Sequence, residues 1–380
     1  MNGKTAKTFL TAQSGVNYVV TFAQSITACA DLWLRLEKDF ICSPYQRIDF
    51  CRSWLEAQAH SRRTPCTMLV SDAAGIPLLF IPFVIEQRQG IRLAAFMGGT
   101  HLNFSVPLFR KKLKLPHAAL INIFSKFAKD AQIDAFYIDK IPRMWENEPN
   151  PLFFLPHRPG SEKAYRHKLS SDLKATLKSM RSSSHLKQLR SKQHRLEDAG
   201  PARITESKLP RERAAALKAF FVLKSAWCRR EGLPDVFAEK ETQRFIKSMA
   251  SAKGSLRIFT LRFSGAIRAV FLGLQHQKCF CGWASSYELD ALDAFSPGDL
   301  LLQYVIATAC KEGFEIFDLG AGDAAYKARW LHEQEPLHTA IFGYGWKGRA
   351  LAQILSLKHA FKHTIKKSPQ FYRALQKLRA

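Results

Sequence analysis

The sequence has 380 residues, of which 47% are hydrophobic, and its 57 Lys and Arg residues outnumber 32 Asp and Glu residues, giving a formal net charge of +25. One hydrophobic core rarely serves more than about 250–300 residues, so we expect two domains. No run of about 18 apolar residues indicates a transmembrane helix, and polar residues interrupt the N-terminal stretch where a signal peptide would be apolar. The positive charge favours an acidic partner, an anionic membrane surface or anionic substrates.

The eight cysteines indicate a reducing compartment. None forms a C-x-x-C pair and most lie in apolar runs. We therefore expect free, mostly buried thiols, no disulfide frame and no metal site. This predicts a cytoplasmic protein, with a peripheral position at the inner face of the membrane as an extension of that prediction.

The first half of the chain shows alternating helix and strand signals. Apolar periodicity predicts the order β-α-α-β-β-β-α-β, with strands at 17–22, 66–71, 76–85, 91–97 and 133–139 and helices at 25–38, 49–59 and 116–129.

The second half repeats this order. The predicted strands are 202–205, 256–263, 266–276, 278–285 and 314–319, followed by 337–344, and the predicted helices are 211–231, 238–250 and 297–312. The repeat indicates an internal duplication of one α+β unit of roughly 170 residues.

Two basic segments accompany the repeats. Ten Lys and Arg residues lie between 163 and 195 against the single acid Asp172, and nine lie between 346 and 380 with no acid at all. The first segment is either a helix that meets nucleic acid, anionic lipid or a phosphorylated substrate, or a solvated linker helix packed by its leucines. The second has an apolar stripe (Leu351, Ile354, Leu355, Ala360, Phe361 and Ile365) and either lies on an anionic membrane or docks on its own domain. The predicted division is 1–160, 161–200, 201–345 and 346–380: a domain, a basic connector, a second domain and a basic amphipathic tail.

The segment 314–330 carries the densest cluster of reactive side chains. A predicted strand ends at Gly320 and Gly322, which permit positive φ and close backbone approach. If a helical turn starts near Asp323, this acid shares one face with Tyr326, Lys327 and Trp330. The cluster is either a site or a capped helix in which Asp323 is the N-cap and the two aromatic residues pack inward.

A helix start lies upstream of this cluster, at 296–306. Ser296 has the residue type of an N-cap, Pro297 suits the first helical position, and Asp299 stands where a capping-box acid belongs. We expect Trp283, on the strand before it, to belong to the core.

Four motifs together resemble one known family. The motifs W-x-S-x-Y at 283–287, S-P-G-x-L-L at 296–301, D-L at 318–319 and G-D-x-x-Y-K-x-x-W at 322–330 are similar to the acetyltransferases of cellulose and exopolysaccharide biosynthesis, the CelD/BcsL group of the GNAT superfamily. The resemblance implies an α+β fold: a tandem duplication of the GNAT (acyl-CoA N-acyltransferase) fold, with mixed sheets flanked by helices, related to FemAB-type transferases.

The resemblance also implies roles for individual residues. We expect Asp323 to act as general base or amine anchor, Tyr326 as an acid for the leaving group, and Lys327 as positive charge for a phosphate or an oxyanion. The position that binds pyrophosphate in typical GNAT enzymes corresponds to Ser296, Gly298, Asp299 and Leu300. The predicted substrate-binding residues are Tyr287, Gly320, Gly322, Trp330, His101 and Asn103.

Three functions follow as hypotheses. The first is direct transfer of an acyl group from acyl-CoA (acetyl-CoA), used as co-substrate without a permanently bound cofactor or metal, to an amine or hydroxyl of a sugar- or envelope-related acceptor. The second is a FemAB-like transferase that uses charged tRNA. The third is a non-catalytic scaffold that binds a polyanion or membrane, because Pro297 removes an amide donor and Asp299 adds an anion at the phosphate position.

Overall fold

The computed structural model describes residues 5–11, 17–59, 61–251, 254–288, 290–322 and 324–367. These residues group into two compact units, the first formed by residues up to 163 together with those from 336 onward, and the second by residues 164–335. The finer division into four parts that we predicted from the sequence stays a prediction.

The first unit is a sheet with helices packed against it. Its elements are β1 (Thr5–Thr11), β2 (Asn17–Ala23), α1 (Ala30–Asp39), α2 (Ile48–Ala57), β3 (Arg63–Asp72), β4 (Pro77–Arg88), β5 (Ile91–Phe96), β6 (Leu108–Phe109), α3 (His117–Asp130), β7 (Ala135–Ile141), β8 (Met144–Trp145), β9 (Glu148–Pro149) and the start of β10 (Arg158–Lys168). The strand order runs β1-β2-β3-β4-β5-β7, with β5 and β7 parallel, the other neighbours antiparallel and β6 paired with β4.

A cluster of phenylalanines forms the centre of this unit. Phe83 packs edge-on against Phe96, its register partner on β5, and against Phe124 of α3. Phe136 of β7 stacks on Phe342 with ring centroids 5.1 Å apart. Burying several aromatic rings in one place stabilises this unit, since each ring removes a large apolar area from water.

The second unit repeats the architecture. Its elements are the end of β10, α4 (Leu173–Met180), α5 (Ser183–Ala199), β11 (Ala202–Glu206), α6 (Pro210–Arg230), α7 (Lys240–Ser251), β12 (Leu256–Phe263), β13 (Ala266–His276), β14 (Cys279–Tyr287), α8 (Pro297–Lys311), β15 (Ile316–Ala321) and α9 (Ala325–Trp330). The strand order is β10-β15-β14-β13-β12-β11, with β14 and β15 parallel and the other neighbours antiparallel. Both units therefore carry the predicted order of helices and strands, and the α+β class is confirmed.

The chain returns to the first unit after the second. Strand β16 (Gln334–Gly343) pairs antiparallel with β7, so that Ala340 faces Ile138, and α10 (Gly345–Lys367) follows it. No helix in the described part of the chain is long and apolar enough to cross a membrane.

The basic connector is not one continuous helix. It begins as the end of β10, and its helical part is divided into α4 and α5 at Arg181 and Ser182. Ser182 starts α5 as its N-cap, because its hydroxyl accepts a hydrogen bond from the backbone N–H of His185 at 3.3 Å. The apolar side of the connector packs into the core of the second unit, where Leu177, Met180, Leu189 and Leu196 are buried. This packing is what the interpretation as a linker helix packed by its leucines predicted.

Candidate functional site

A cavity of about 510 Å³ lies within the second unit. Its walls come from α6 and the segment after it, from β13 and β14, from the first turn of α8, and from α9. Several predicted site residues line it, namely Tyr287, Ser296, Gly298, Asp299, Tyr326 and Lys327. Residues separated by up to 40 positions in the predicted motifs therefore meet at one cavity.

The cavity opens where two parallel strands separate. Within the described residues, β14 and β15 are paired only from Cys279–Ile316 to Cys281–Asp318, although β14 continues to Tyr287 and β15 to Ala321. The end of β14, which stays paired with β13 but no longer with β15, then forms one wall of the cavity, and α9, which follows β15, forms another. A gap between parallel strands leaves backbone amides and carbonyls available for a bound molecule.

The start of α8 differs from the prediction. Ser296 occupies the N-cap position but adopts φ 54°, and its side chain makes no capping hydrogen bond. Its Oγ instead accepts a hydrogen bond from Lys192 Nζ of α5 at 2.7 Å. The predicted capping box is also wrong, because the carboxylate of Asp299 accepts a hydrogen bond from Trp330 Nε1 at 2.7 Å.

Position 298 has little room for a side chain. A Cβ there would stand 3.1 Å from Cδ1 of Tyr287, so the tyrosine ring would have to shift by a few tenths of an ångström to admit one. Leu300, which was predicted to bind the co-substrate, is buried in the core and does not line the cavity. The first turn of α8 thus contributes Ser296, Gly298 and Asp299 to the cavity, while Leu300 anchors the helix.

Helix α9 presents Tyr326 and Lys327 to the cavity. Tyr326 is half-buried and its hydroxyl is hydrogen-bonded to the Ser285 side chain, while burial raises the pKa of the phenol. Lys327 is buried, and its Nζ donates a hydrogen bond to the carbonyl of Ala321 at 2.6 Å. The tyrosine therefore stays protonated at neutral pH and can act as a hydrogen-bond donor.

Three other predicted residues of the segment 314–330 do not line the cavity. Trp330 is fully buried and does not line the cavity. Gly320 and Gly322 adopt φ 73° and φ 106°, which turn the chain from β15 toward α9, and they too are outside the lining. Asp323 lies outside the described residues, so its role as base or amine anchor stays a prediction.

A buried ion pair holds β15 in place. Asp318 is completely buried and its Oδ2 accepts a hydrogen bond from Arg166 Nε of β10 at 2.7 Å. Burial raises the pKa of Asp318, whereas the charge of Arg166 opposes this rise. Sequence reasoning did not single out this pair; an acid inside an apolar strand, at Phe317-Asp318-Leu319, was the available signal.

Lys224 is a cavity residue that the sequence analysis missed. Its ammonium group lies 4.2 Å from the centroid of Trp227 and 5.6 Å from that of Phe237, and it donates to the Ser285 carbonyl at 3.4 Å. Burial lowers the pKa of this lysine. A cation that lies beside aromatic rings and contacts the part of β14 that has separated from β15 is suited to an anionic or proton-exchanging ligand.

Two further residues complete the β14 wall. Trp283, predicted to be core, is half-buried and lines the cavity, with its ring edge-on to Phe245 at 5.4 Å. Ser286 Oγ is buried and has no hydrogen-bond partner among the described residues. Both residues therefore belong to the lining of the cavity.

His101 and Asn103 belong to the first unit. Asn103 Nδ2 donates to the Tyr45 hydroxyl at 2.7 Å, and His101 is buried. Burial, aided by the charge of Lys140, lowers the pKa of His101 to about 4, so the imidazole is neutral at pH 7. Their assignment as substrate-binding residues stays a prediction.

Comparisons with known proteins agree with this geometry. Residues 183–328 match the family model of an acetyltransferase (GNAT) domain. No curated protein matches the chain significantly.

Solved structures resemble most of the chain. FemX superposes with a TM-score of 0.60 at 11% identity, covering 85% of this chain and 97% of FemX. The C-terminal domain of an Agrobacterium fabrum protein, named as a putative lysylphosphatidylglycerol synthetase, superposes with a TM-score of 0.54 at 14% identity, covering 89% of this chain and 96% of that domain. A conserved protein of unknown function from Bacteroides thetaiotaomicron superposes with a TM-score of 0.50 at 12% identity, covering 84% of this chain and 98% of that protein. These likenesses concern the fold, and with the family match they confirm the predicted tandem GNAT fold.

Proposed function

We propose that this chain, which carries a GNAT-fold acetyltransferase domain, moves an acetyl-type acyl group from acyl-CoA directly to an amine or hydroxyl of a sugar- or envelope-related acceptor in the cytoplasm. The observation that carries the proposal is the separation of β14 from β15 after Cys281 and Asp318, with the cavity at the gap. The motifs at 283–330 support the exopolysaccharide-related acceptor class only through their resemblance to the CelD/BcsL group.

Different residues at the cavity would carry out the separate steps of acyl transfer. The attacking amine or hydroxyl forms a bond to the thioester carbonyl carbon, and the positive charge of Lys327 stabilises the oxyanion that develops. The bond from carbon to sulfur then breaks, and the thiolate takes the proton of Tyr326, whose pKa is raised by burial. The proton of the nucleophile goes to Asp323 or to Lys224, whose lowered pKa makes its neutral amine more accessible.

Cations near the start of α8 support a phosphate-bearing donor. Pro297 provides no amide hydrogen, but Lys192 is hydrogen-bonded to Ser296 and Arg181 lies 5.1 Å from the ring centroid of Trp330. Arg181 also donates to the carbonyl of Arg329. These side chains would replace part of the positive potential that a typical GNAT loop draws from backbone amides.

A FemAB-like transfer from charged tRNA is the second candidate. Exposed cations on α4 and α5, among them Lys178, Lys187 and Arg190, provide a surface for a nucleic-acid backbone. This candidate predicts tRNA binding that weakens steeply with salt and is lost in Lys187→Glu/Arg190→Glu. A scaffold without chemistry, the third candidate, predicts no affinity for any acyl donor.

Release of free CoA tests the proposal. The protein is incubated with acetyl-CoA and a panel of amino sugars and neutral sugars, and the thiol is followed with time. We expect release that depends on one class of acceptor and slows in Tyr326→Phe. Absence of release with every acyl-CoA and acceptor, in a protein that transfers an aminoacyl group from tRNA, would replace the first candidate with the second.

A further inference from the structure

Helix α10 lies against the sheet of the first unit along one defined face. A Cβ at Gly348 would stand 1.8 Å from the carbonyl oxygen of Asp134, so the helix backbone touches the segment before β7. The backbone N–H of Tyr344 donates to the same carbonyl at 2.8 Å. Ala352 and His359, one and three turns further along this face, are buried. The contact at Gly348 therefore fixes which side of α10 points outward.

The outward side carries four large apolar residues. Trp346, Ile354, Leu357 and Phe361 are exposed by 78%, 50%, 71% and 69%. At about 100° per residue, these positions fall within an arc of about 80° along the helix, and we call them the apolar stripe. The stripe differs from the one predicted from the sequence, because Leu351 and Leu355 are half-buried and Ala360 lies beside it.

Cations flank the apolar stripe. Lys347 and Lys358 follow it on one side of the helix and Arg349 on the other, and all three are exposed. No Asp or Glu occurs from Trp346 to the end of the chain. An apolar centre between two basic margins is the arrangement of helices that lie in the plane of a membrane interface.

We propose that the apolar stripe of α10 binds the surface of an anionic lipid bilayer. The large side chains would enter the boundary between headgroups and acyl chains, while the lysines and the arginine contact anionic headgroups. A second copy of this chain is a poorer occupant, because two stripes packed face to face would bring like charges together. A nucleic acid would use the cations but leave the four apolar side chains in water.

Vesicle co-sedimentation of the full chain tests the proposal. We expect binding to vesicles of phosphatidylcholine with about one-third phosphatidylglycerol and at least roughly tenfold weaker binding to phosphatidylcholine alone. Binding should weaken between about 0.1 M and about 0.5 M salt, because the headgroup contacts are screened. Equal binding to both vesicles, or none to either, would overturn the proposal.

Substitutions that leave the net charge unchanged test whether the apolar stripe itself, and not exposed apolar surface in general, binds the vesicles. Leu357→Ser/Phe361→Ser should reduce binding roughly tenfold or more, since both residues would bury their apolar area in the bilayer. Val222→Ser is the matched control, because Val222 on α6 is also an exposed apolar residue. The Val222→Ser protein should bind the anionic vesicles as the wild type does. Unchanged binding of the double variant would contradict the proposal. So would light scattering that finds a wild-type dimer and a monomeric double variant.

Discussion

At the scale of residues, Lys327 is the position on which the proposed chemistry depends most. It lies buried at the cavity wall, with its Nζ on the Ala321 carbonyl at 2.6 Å and 3.8 Å from the point where a Cβ at Gly322 would stand. The amine therefore has a fixed position next to the chain turn that opens the cavity. A fixed charge is effective in stabilising an oxyanion because it needs no reorganisation during the reaction.

Lys327→Ala should lower kcat/KM for acyl transfer about 100-fold while leaving the far-ultraviolet circular dichroism spectrum unchanged. The control is Lys311→Ala, since Lys311 is exposed at the end of α8 and outside the cavity, and its kcat/KM should match the wild type. Full turnover in Lys327→Ala would remove this residue from the mechanism.

Glu37 of α1 makes a residue-scale prediction about pH. It is buried, and burial raises the pKa of its carboxyl from 4.5 to about 7, against the lowering effect of Arg47. The folded state binds this proton more tightly than the unfolded state, so the stabilising contribution is complete below about pH 4.5 and is lost as the pH rises through 7.

In Glu37→Gln this part of the pH dependence should disappear, a difference of at most about 3 kcal/mol. Urea unfolding of both proteins between pH 4.5 and pH 8 measures it. Parallel stability curves for the two proteins would show that Glu37 does not titrate as described.

At the scale of elements, a hydrogen bond joins α8 and α9, between the half-buried carboxylate of Asp299 and the fully buried indole of Trp330. Trp330 Nε1 donates to Asp299, while Arg181 lies over the same indole ring at 5.1 Å. Trp330 is in the last turn of α9 and Asp299 in the first turn of α8, so this bond links two of the helices that contribute residues to the cavity.

Trp330→Phe keeps an aromatic ring but removes the donor, and we expect it to lower the free energy of unfolding by about 2 kcal/mol. A double-mutant cycle with Asp299→Ala, which removes the acceptor, isolates the hydrogen bond, and a coupling energy of about 1 kcal/mol or more is expected from denaturant unfolding. Additive effects of the two substitutions would show that the bond does not join the helices energetically.

The repeated elements could be predicted because their signals are local. Apolar periodicity sufficed for the three-stranded antiparallel meander of each unit, β3-β4-β5 and β12-β13-β14. It also sufficed for α8, whose observed range, Pro297–Lys311, differs from the predicted one by a single residue. The conformation of Ser296 could not be predicted in this way, because Lys192, 104 positions earlier in the chain, binds its hydroxyl. Lys224 was missed for the same reason: its aromatic partners are nearby in sequence, but the strand it faces begins 55 residues later.

At the scale of the whole molecule, two α+β units of the same element order carry the tandem GNAT fold. The return of β16 to the first unit was not visible in the sequence, since strand pairing between distant segments leaves no periodic signal of its own. The net charge of +25 pointed to an anionic ligand class but not to its location. The structure distributes exposed cations over α4, α5 and α10.

The central claim, that the second unit binds an acyl-CoA donor, is tested most directly by thermal unfolding with and without acetyl-CoA. At about 100 times its dissociation constant, one bound ligand should stabilise the folded protein by roughly 2.7 kcal/mol and raise the unfolding temperature. The shift should shrink in Lys192→Ala/Arg181→Ala, because Lys192 is hydrogen-bonded to Ser296 and Arg181 interacts electrostatically with Asp299, both at the start of α8. An unfolding temperature that stays constant with acetyl-CoA and with longer acyl-CoAs, up to saturating concentrations, would contradict the claim.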